Sequence, residues 1–321
     1  MISTRLTDFF KIDHPVISAP MAFAAGGRLA AAVTKAGGLG LIGGSYGDAD
    51  WIEQQFREAG NTRVGCGLIT WALSRPDDKR HVFEKVVAHK PQAVFLSFGD
   101  PAPYIPHCMD AGIPVICQVQ NMEHAAHAID SGASVIVAQG AEAGGHGESR
   151  ATLTLVPEVA NLIAKKAPDT ILCAAGGVGD GRGLAAALML GADGALVGSR
   201  FWASNEALVH PKMLEAALSS NGDGTIQSSV MDIARRLQWP ERYGARVLKN
   251  EFTERWHNDL PGLLADQDDQ ADQWRAAWAE GNTTIANTFV GEVAGLIDSV
   301  RPAADILTDM VNEARVCLDR Y

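Results

Sequence analysis

Basic runs, paired cysteines and long apolar segments are all missing from this chain. Its 27 Lys and Arg are outnumbered by 38 Asp and Glu, the formal charge is −11, and no block of five or six basic residues occurs. That balance argues against nucleic acid or an anionic membrane as partner, since both select clustered positive charge. No apolar run approaches the roughly 18 residues needed to cross a bilayer. Residues 1–13 scatter charges where a signal peptide needs an apolar core, so a cytoplasmic protein is the expectation. The five cysteines (Cys66, Cys108, Cys117, Cys173 and Cys317) are odd in number, widely spaced and lack a Cys-x-x-Cys pair. They suit neither a disulfide framework nor a structural zinc site, and no metal is expected. Cys66, Cys117 and Cys173 lie in apolar strand-like runs and read as small core residues. A P-loop lysine signature is also absent, which argues against nucleoside triphosphates.

What the chain does have is a rhythm. Short, continuously apolar runs at 15–20, 39–43, 63–69, 93–98, 114–119, 134–139, 170–175 and 194–199 read as strands. Continuous apolarity marks parallel strands covered on both faces. Amphipathic stretches at 29–36, 49–59, 79–89, 104–110, 122–130, 155–165 and 181–190 lie between them and read as crossover helices. Helix–Gly–strand junctions recur at Gly37-Gly38, Gly112, Gly132 and Gly191, where glycine takes the left-handed position after a helix. Eight strands with seven intervening helices predict an α/β fold of the (β/α)8 TIM-barrel type, with a doubly wound open sheet as the competing architecture. The expected organisation is a barrel over 1–205, a helical insertion without strands over 206–286 that serves as a lid, and helices over 287–321 that return to the barrel.

Glycine concentrates at three consecutive strand ends, where barrel active sites are built. The first carries Ala138-Gln139-Gly140-Ala141-Glu142-Ala143-Gly144-Gly145-His146-Gly147-Glu148. His146 is flanked by glycines that offer little apolar cover, so it reads as an acid–base or anion-binding residue rather than a core histidine. Glu142 and Glu148 are candidates to orient its ring, or are solvated loop charges. His124 and His127 read as a solvated helix face. The second and third strand ends supply Gly176, Gly177, Gly198 and Ser199, which predict a phosphate cradle of backbone N–H groups; tight turns without a ligand are the alternative. Gln118 and Gln139 end strands five and six and offer amides to the edge of a planar heterocycle, or else bond a neighbouring loop. Ala19-Pro20-Met21-Ala22 ends strand one with small residues that let backbone approach a flat ring, although Met21 also fits a packing role.

Taken in order, these elements resemble the nitronate monooxygenase family, also called 2-nitropropane dioxygenases. The resemblance runs through Ala19-Pro20-Met21-Ala22, residues 36–40, the Gln139–His146 stretch, Ala174-Ala175-Gly176-Gly177 with Asp180-Gly181, residues 198–201 and Ala245-Arg246-Val247-Leu248. It covers nearly the whole chain, and Glu142-Ala143-Gly144-Gly145-His146 is its most specific part. It implies an FMN-binding barrel with His146 as catalytic residue. The cofactor contacts it implies are Ala19, Pro20, Met21, Ala22, Gln118, Gln139, Gly140, Gly144, Gly145, Ala175, Gly176, Gly177, Gly198 and Ser199. It also implies small-molecule substrates: alkyl nitronates and O2, with neutral nitroalkanes accepted by some relatives. FMN-dependent enoyl-acyl-carrier-protein reductases and NADH:quinone reductases are similar too, and a flavin-binding protein without turnover is the third reading. Many relatives carry Asn where this chain has Gly67, and Thr70 is the candidate replacement. Oligomeric state, a homodimer included, is open, and Trp256 and Trp274 suit either core or interface.

Overall fold

All eight predicted strands form, in a computed structural model that describes residues 2–74 and 79–320. They are β1 (Val16–Ser18), β2 (Leu41–Gly43), β3 (Gly65–Ile69), β4 (Val94–Ser97), β5 (Val115–Val119), β6 (Val135–Gln139), β8 (Ile171–Ala175) and β9 (Gly194–Val197). A short β7 (Gly145–Gly147) lies between β6 and β8 in the chain but joins a different sheet. Every pairing in the eight-stranded sheet is parallel, in the order β1-β9-β8-β6-β5-β4-β3-β2. The two ends meet. Ser18 N–H donates to the Leu39 carbonyl (2.9 Å) and Leu39 N–H to that of Val16 (3.0 Å). This closure makes a barrel and excludes the open sheet; it removes both edge strands at once.

Nearly every strand position is buried, as the uninterrupted apolar runs require. Inside the barrel, Ile17, Leu39, Leu41, Phe95, Ile116, Val137, Cys173 and Leu196 fill the interior. The amino end is plugged by the helix Arg5–Phe10, which inserts Leu6 and Phe10 into that same cluster. Thr4 and Thr7 form a capping box at the helix start, which fixes its direction of approach. Outside, the helix Ala303–Leu318 packs its apolar stripe, Ile306, Leu307, Met310, Val311 and Ala314, against the helices Gly27–Lys35 and Gly181–Met189. Cys66 is buried, and the loss of water pushes its thiol up to about 12; burial moves Cys117 and Cys173 in the same direction. These thiols stay protonated core residues.

The segment after β9 departs from the expectation of helices alone. It contains β10 (Thr225–Ser228) and β11 (Gly244–Leu248), which pair antiparallel. β11 then pairs with β7, with Ala245 opposite His146, so the barrel's own loop becomes an edge of the inserted sheet. β10 carries little strand signal in its sequence, because it is a polar segment, Thr-Ile-Gln-Ser, marked only by alternation over four residues. Val230, Met231, Val247, Phe252, Trp256, Leu263 and Trp274 form the core of this unit. Trp256 and Trp274 are therefore core residues.

Candidate active site

A cavity of about 920 Å³ opens at the carboxyl ends of the barrel strands, roofed by the inserted unit. Its size suits a cofactor together with a substrate, near the upper end of the usual range of roughly 300–1,000 Å³. Of the fourteen residues expected to contact a cofactor, thirteen line it: Ala19, Pro20, Met21, Ala22, Gln118, Gln139, Gly144, Gly145, Ala175, Gly176, Gly177, Gly198 and Ser199; His146 lines it as well. Gly140 does not. Its Cα faces Thr152 and Glu142, where a Cβ would come within 2.0 Å of the Thr152 hydroxyl, and its N–H is spent on the Ala175 carbonyl. Its role is to let the β6 and β8 loops close on each other.

The floor of one end has the form of an anion cradle. Gly176 and Gly177 both adopt positive φ (92° and 76°), which turns the chain sharply after β8. The N–H groups of Gly177 and Gly198 find no acceptor among the described residues. Ser199 accepts from the Gly291 N–H (2.9 Å), which leaves its own hydroxyl proton to donate. These donors suit a phosphate.

The amides of the middle strands divide their work. Gln139 Oε1 accepts from Gln118 Nε2 (2.9 Å) and Gln120 Nε2 (2.9 Å), and its own Nε2 donates to the His146 carbonyl (3.1 Å). Gln139 is thus spent on holding the histidine loop. Gln118 Oε1, with no partner among the described residues, is the acceptor left facing the cavity. Gly67 admits Pro20: a Cβ there would lie 2.4 Å from both Pro20 Cβ and Cγ. Thr70 does not stand in for the missing amide, because its hydroxyl donates to the Ser97 carbonyl (2.8 Å) and it is fully buried away from the cavity.

His146 differs most from expectation. It is not left uncovered by its glycines but is 8% exposed. Trp239, from the loop before β11, stacks on the imidazole with centroids 3.5 Å apart and planes 7° from parallel. Phe98 meets the ring edge-on at 6.2 Å. Its orienting carboxylate is neither neighbouring glutamate. Glu142 accepts from the Thr152 N–H and hydroxyl, capping the helix Thr152–Lys166, and Glu148 accepts from Asn121 Nδ2 (2.8 Å). The partner is Asp232, on the inserted helix Val230–Ala234, with Oδ2 2.9 Å from His146 Nε2. Asp232 is 3% exposed, and its Oδ1 has no partner among the described residues. His124 and His127 take no part in the site; they pair with Arg242 and Asp100 nearer the surface.

Burial pushes the His146 pKa below its ordinary value of 6.5, opposed by the hydrogen bond and charge of Asp232 and reinforced by the positive charge of Arg235. The neutral ring gives its Nε2 proton to Asp232, which leaves Nδ1 as the lone-pair atom, without a partner among the described residues. A neutral imidazole with a fixed tautomer, lining the same cavity as the glycine cradle, is equipped to take a proton from a bound carbon acid.

The sequence model of the family described as nitronate monooxygenase matches residues 3–64 and 68–313. The chain belongs to this family. It is accordingly an oxidoreductase. The break in the match, 65–67, is the stretch where Gly67 replaces the expected Asn. A nitronate monooxygenase from Neurospora crassa is 32% identical to it, over 97% of this chain and 92% of the relative. Among solved structures, FabK from Thermotoga maritima superposes with a TM-score of 0.84 at 30% identity, covering 100% of this chain and 98% of that one. A nitroalkane oxidase from Streptomyces ansochromogenes does so at 0.81 and 25% identity, with 98% and 99% covered. Among the described residues, no helix of this family member is long and apolar enough to cross a membrane.

Proposed function

We propose that this protein is an FMN-dependent nitronate monooxygenase that converts alkyl nitronates and O2 to a carbonyl compound and nitrite. The family implies a flavin, and the residues present fit FMN in particular. The Gly176-Gly177 turn and Gly198-Ser199 offer free donors to a terminal phosphate, while Ala19–Ala22 and Gln118 Oε1 offer a flat wall and an acceptor to a ring system. FMN, when bound, supplies an electron acceptor for the substrate and a reductant for O2. The observation that carries the reading is the buried His146–Asp232 pair, whose imidazole lines the same cavity as those residues.

The protein's own residues account for substrate handling. His146 Nδ1 takes the α-proton of a neutral nitroalkane, and Asp232 stabilises the imidazolium that results. A substrate that arrives already ionised needs no proton removed, and the same ring then steadies its negative charge. Trp239 excludes water from the imidazole face and keeps the base poised.

The test is oxygen uptake and nitrite release by the FMN-loaded protein given propionate 3-nitronate in air. Absence of turnover refutes the reading. A second reading, a pyridine-nucleotide-dependent reductase on the same scaffold, draws on the likeness to FabK. Anaerobic bleaching of the bound flavin by NADH or NADPH much faster than that of free FMN selects it. Full nitronate and nitroalkane activity in His146→Ala would exclude His146 from catalysis.

A further inference from the structure

The arm of the cavity that faces the inserted unit holds a cation with no counter-ion among the described residues. Arg235 follows the helix Val230–Ala234 directly, and among the described cavity-lining residues it is the one Lys or Arg. Its guanidinium carbon lies 5.5 Å from the ring centre of Tyr46, 5.6 Å from Trp274, and 6.0 Å from both Phe23 and Phe289. All four aromatic residues line the same cavity. No carboxylate among the described residues comes within ion-pair distance of Arg235, and the polar group it faces is the Tyr46 hydroxyl. Asp232, one helical turn earlier, is turned to His146 instead.

Two other arginines with little exposure are spent. Arg246 donates to the Ala141 carbonyl and Thr225 hydroxyl and pairs with Glu292, and Arg200 donates to the Ser299 carbonyl. Ring faces attract a guanidinium by their quadrupole, but they accept none of its five N–H donors in the plane of the fork. The aromatic box therefore orients Arg235, and apart from the Tyr46 hydroxyl that it faces, its donors have no acceptor among the described residues. A planar fork matches a planar anion with two oxygens, as a carboxylate or a nitronate presents. The cavity also presents the apolar Leu208, Val209, Met213 and Trp278, with His210 among them, whose Nδ1 accepts from the Lys212 N–H.

We propose that Arg235 is the recognition residue for a planar two-oxygen anion carried on an apolar body, at a subsite separate from the glycine cradle. The oxygens bind the guanidinium fork, and the apolar body lies along the aromatic and aliphatic walls. Trp239 links this subsite to the base: it stacks on His146 while its Nε1 donates to Tyr46 Oη (3.2 Å). A ligand on Arg235 is therefore connected, through Tyr46, to the side chain that covers the imidazole.

The binding test needs no turnover and stands apart from the activity proposed above. The FMN-loaded protein is titrated with hexanoate and benzoate, and with hexanamide and benzamide, by quenching of tryptophan fluorescence. The expectation is that the carboxylates bind at least about tenfold tighter than the amides, as a charge-assisted fork contact requires. Arg235→Met abolishes that preference and leaves the amides unchanged, while Arg235→Lys keeps part of it. Equal affinity of acid and amide in the unaltered protein overturns the proposal, as does a preference that survives in Arg235→Met. Far-UV circular dichroism and retained FMN establish that the variants are folded. A turnover arm, which does rest on the proposed activity, locates the anion. Arg235→Met raises KM for ethyl nitronate and propionate 3-nitronate alike if the fork holds the nitronate itself. It raises KM for the second alone if the fork holds a distal carboxylate. An unchanged KM for both overturns the proposal.

Discussion

Replacing Asp232 with Asn changes one oxygen to nitrogen and removes the charge that faces His146. The two side chains are 2.9 Å apart and 8% and 4% exposed, so water does not substitute for the lost acceptor. A buried hydrogen bond to a charged group is worth about 1.5–3 kcal/mol, or roughly 10- to 150-fold in an equilibrium constant. The amide also bonds either tautomer, so part of the population presents Nε2 rather than Nδ1 as the base. The kcat/KM for a neutral nitroalkane is therefore expected to fall by about 10- to 150-fold, and that for a preformed nitronate by less, because only the first needs a proton removed. The pH profile moves in a defined direction. Asp232 raises the His146 pKa against the lowering by burial, so D232N shifts the acid limb of kcat/KM to lower pH. The assay is oxygen uptake with nitroethane and ethyl nitronate across pH 5–9, paired with NMR titration of the imidazole, which reads the pKa without turnover. Equal losses on both substrates, or an unmoved imidazole titration, would refute the assigned role.

Four further outcomes follow from the same geometry. Trp239→Ala uncovers the imidazole and relieves its desolvation, so the His146 pKa rises toward 6.5 or above and the acid limb moves to higher pH; NMR of the ring checks the direction. A histidine held neutral by burial binds its proton more readily unfolded than folded, so its contribution is fully present above pH 6.5 and is lost as pH falls through that value toward the lower folded pKa. The measurement is urea unfolding from pH 7.5 to 5, with His146→Gln as the control that flattens this component. Gly67→Ala places a Cβ 2.4 Å from two Pro20 atoms and costs about 1–3 kcal/mol as overpacking, read as a lowered melting temperature and weakened FMN retention. Leu6→Ala removes a fully buried plug from the amino end of the barrel and costs about 2–5 kcal/mol with no change in KM, since it lies at the end opposite the cavity.

The barrel was legible because parallel strands buried on both faces must be apolar throughout, and because glycine marks each helix-to-strand junction. The glycine cradle was legible for a related reason: the turn at Gly176-Gly177 needs positive φ twice in succession, a demand written directly in residue type. The environment of His146 was not. Its glycine neighbours are local, whereas Trp239 and Asp232 lie 93 and 86 residues further along. One clue was present: Ala245-Arg246-Val247-Leu248 is part of the family pattern, and it is the strand whose Ala245 pairs with His146. Gln139 was legible as a polar strand end, but its commitment to the loop carbonyl depends on Gln118 and Gln120 converging on it.

The sequence by itself determined the elements and their order, since burial on one or both faces dictates periodicity and backbone strain dictates glycine. It also determined that a lone histidine follows the sixth strand in a glycine-rich loop. The tertiary structure decided what that histidine is. An inserted sheet captures the loop as its edge strand and brings to it a buried carboxylate and an indole cover, and to the cavity wall an arginine without a counter-ion among the described residues. The physical reason is separation along the chain. Local sequence encodes which conformations a segment prefers, but desolvation and charge pairing depend on which distant side chains the closed barrel and its insertion press together.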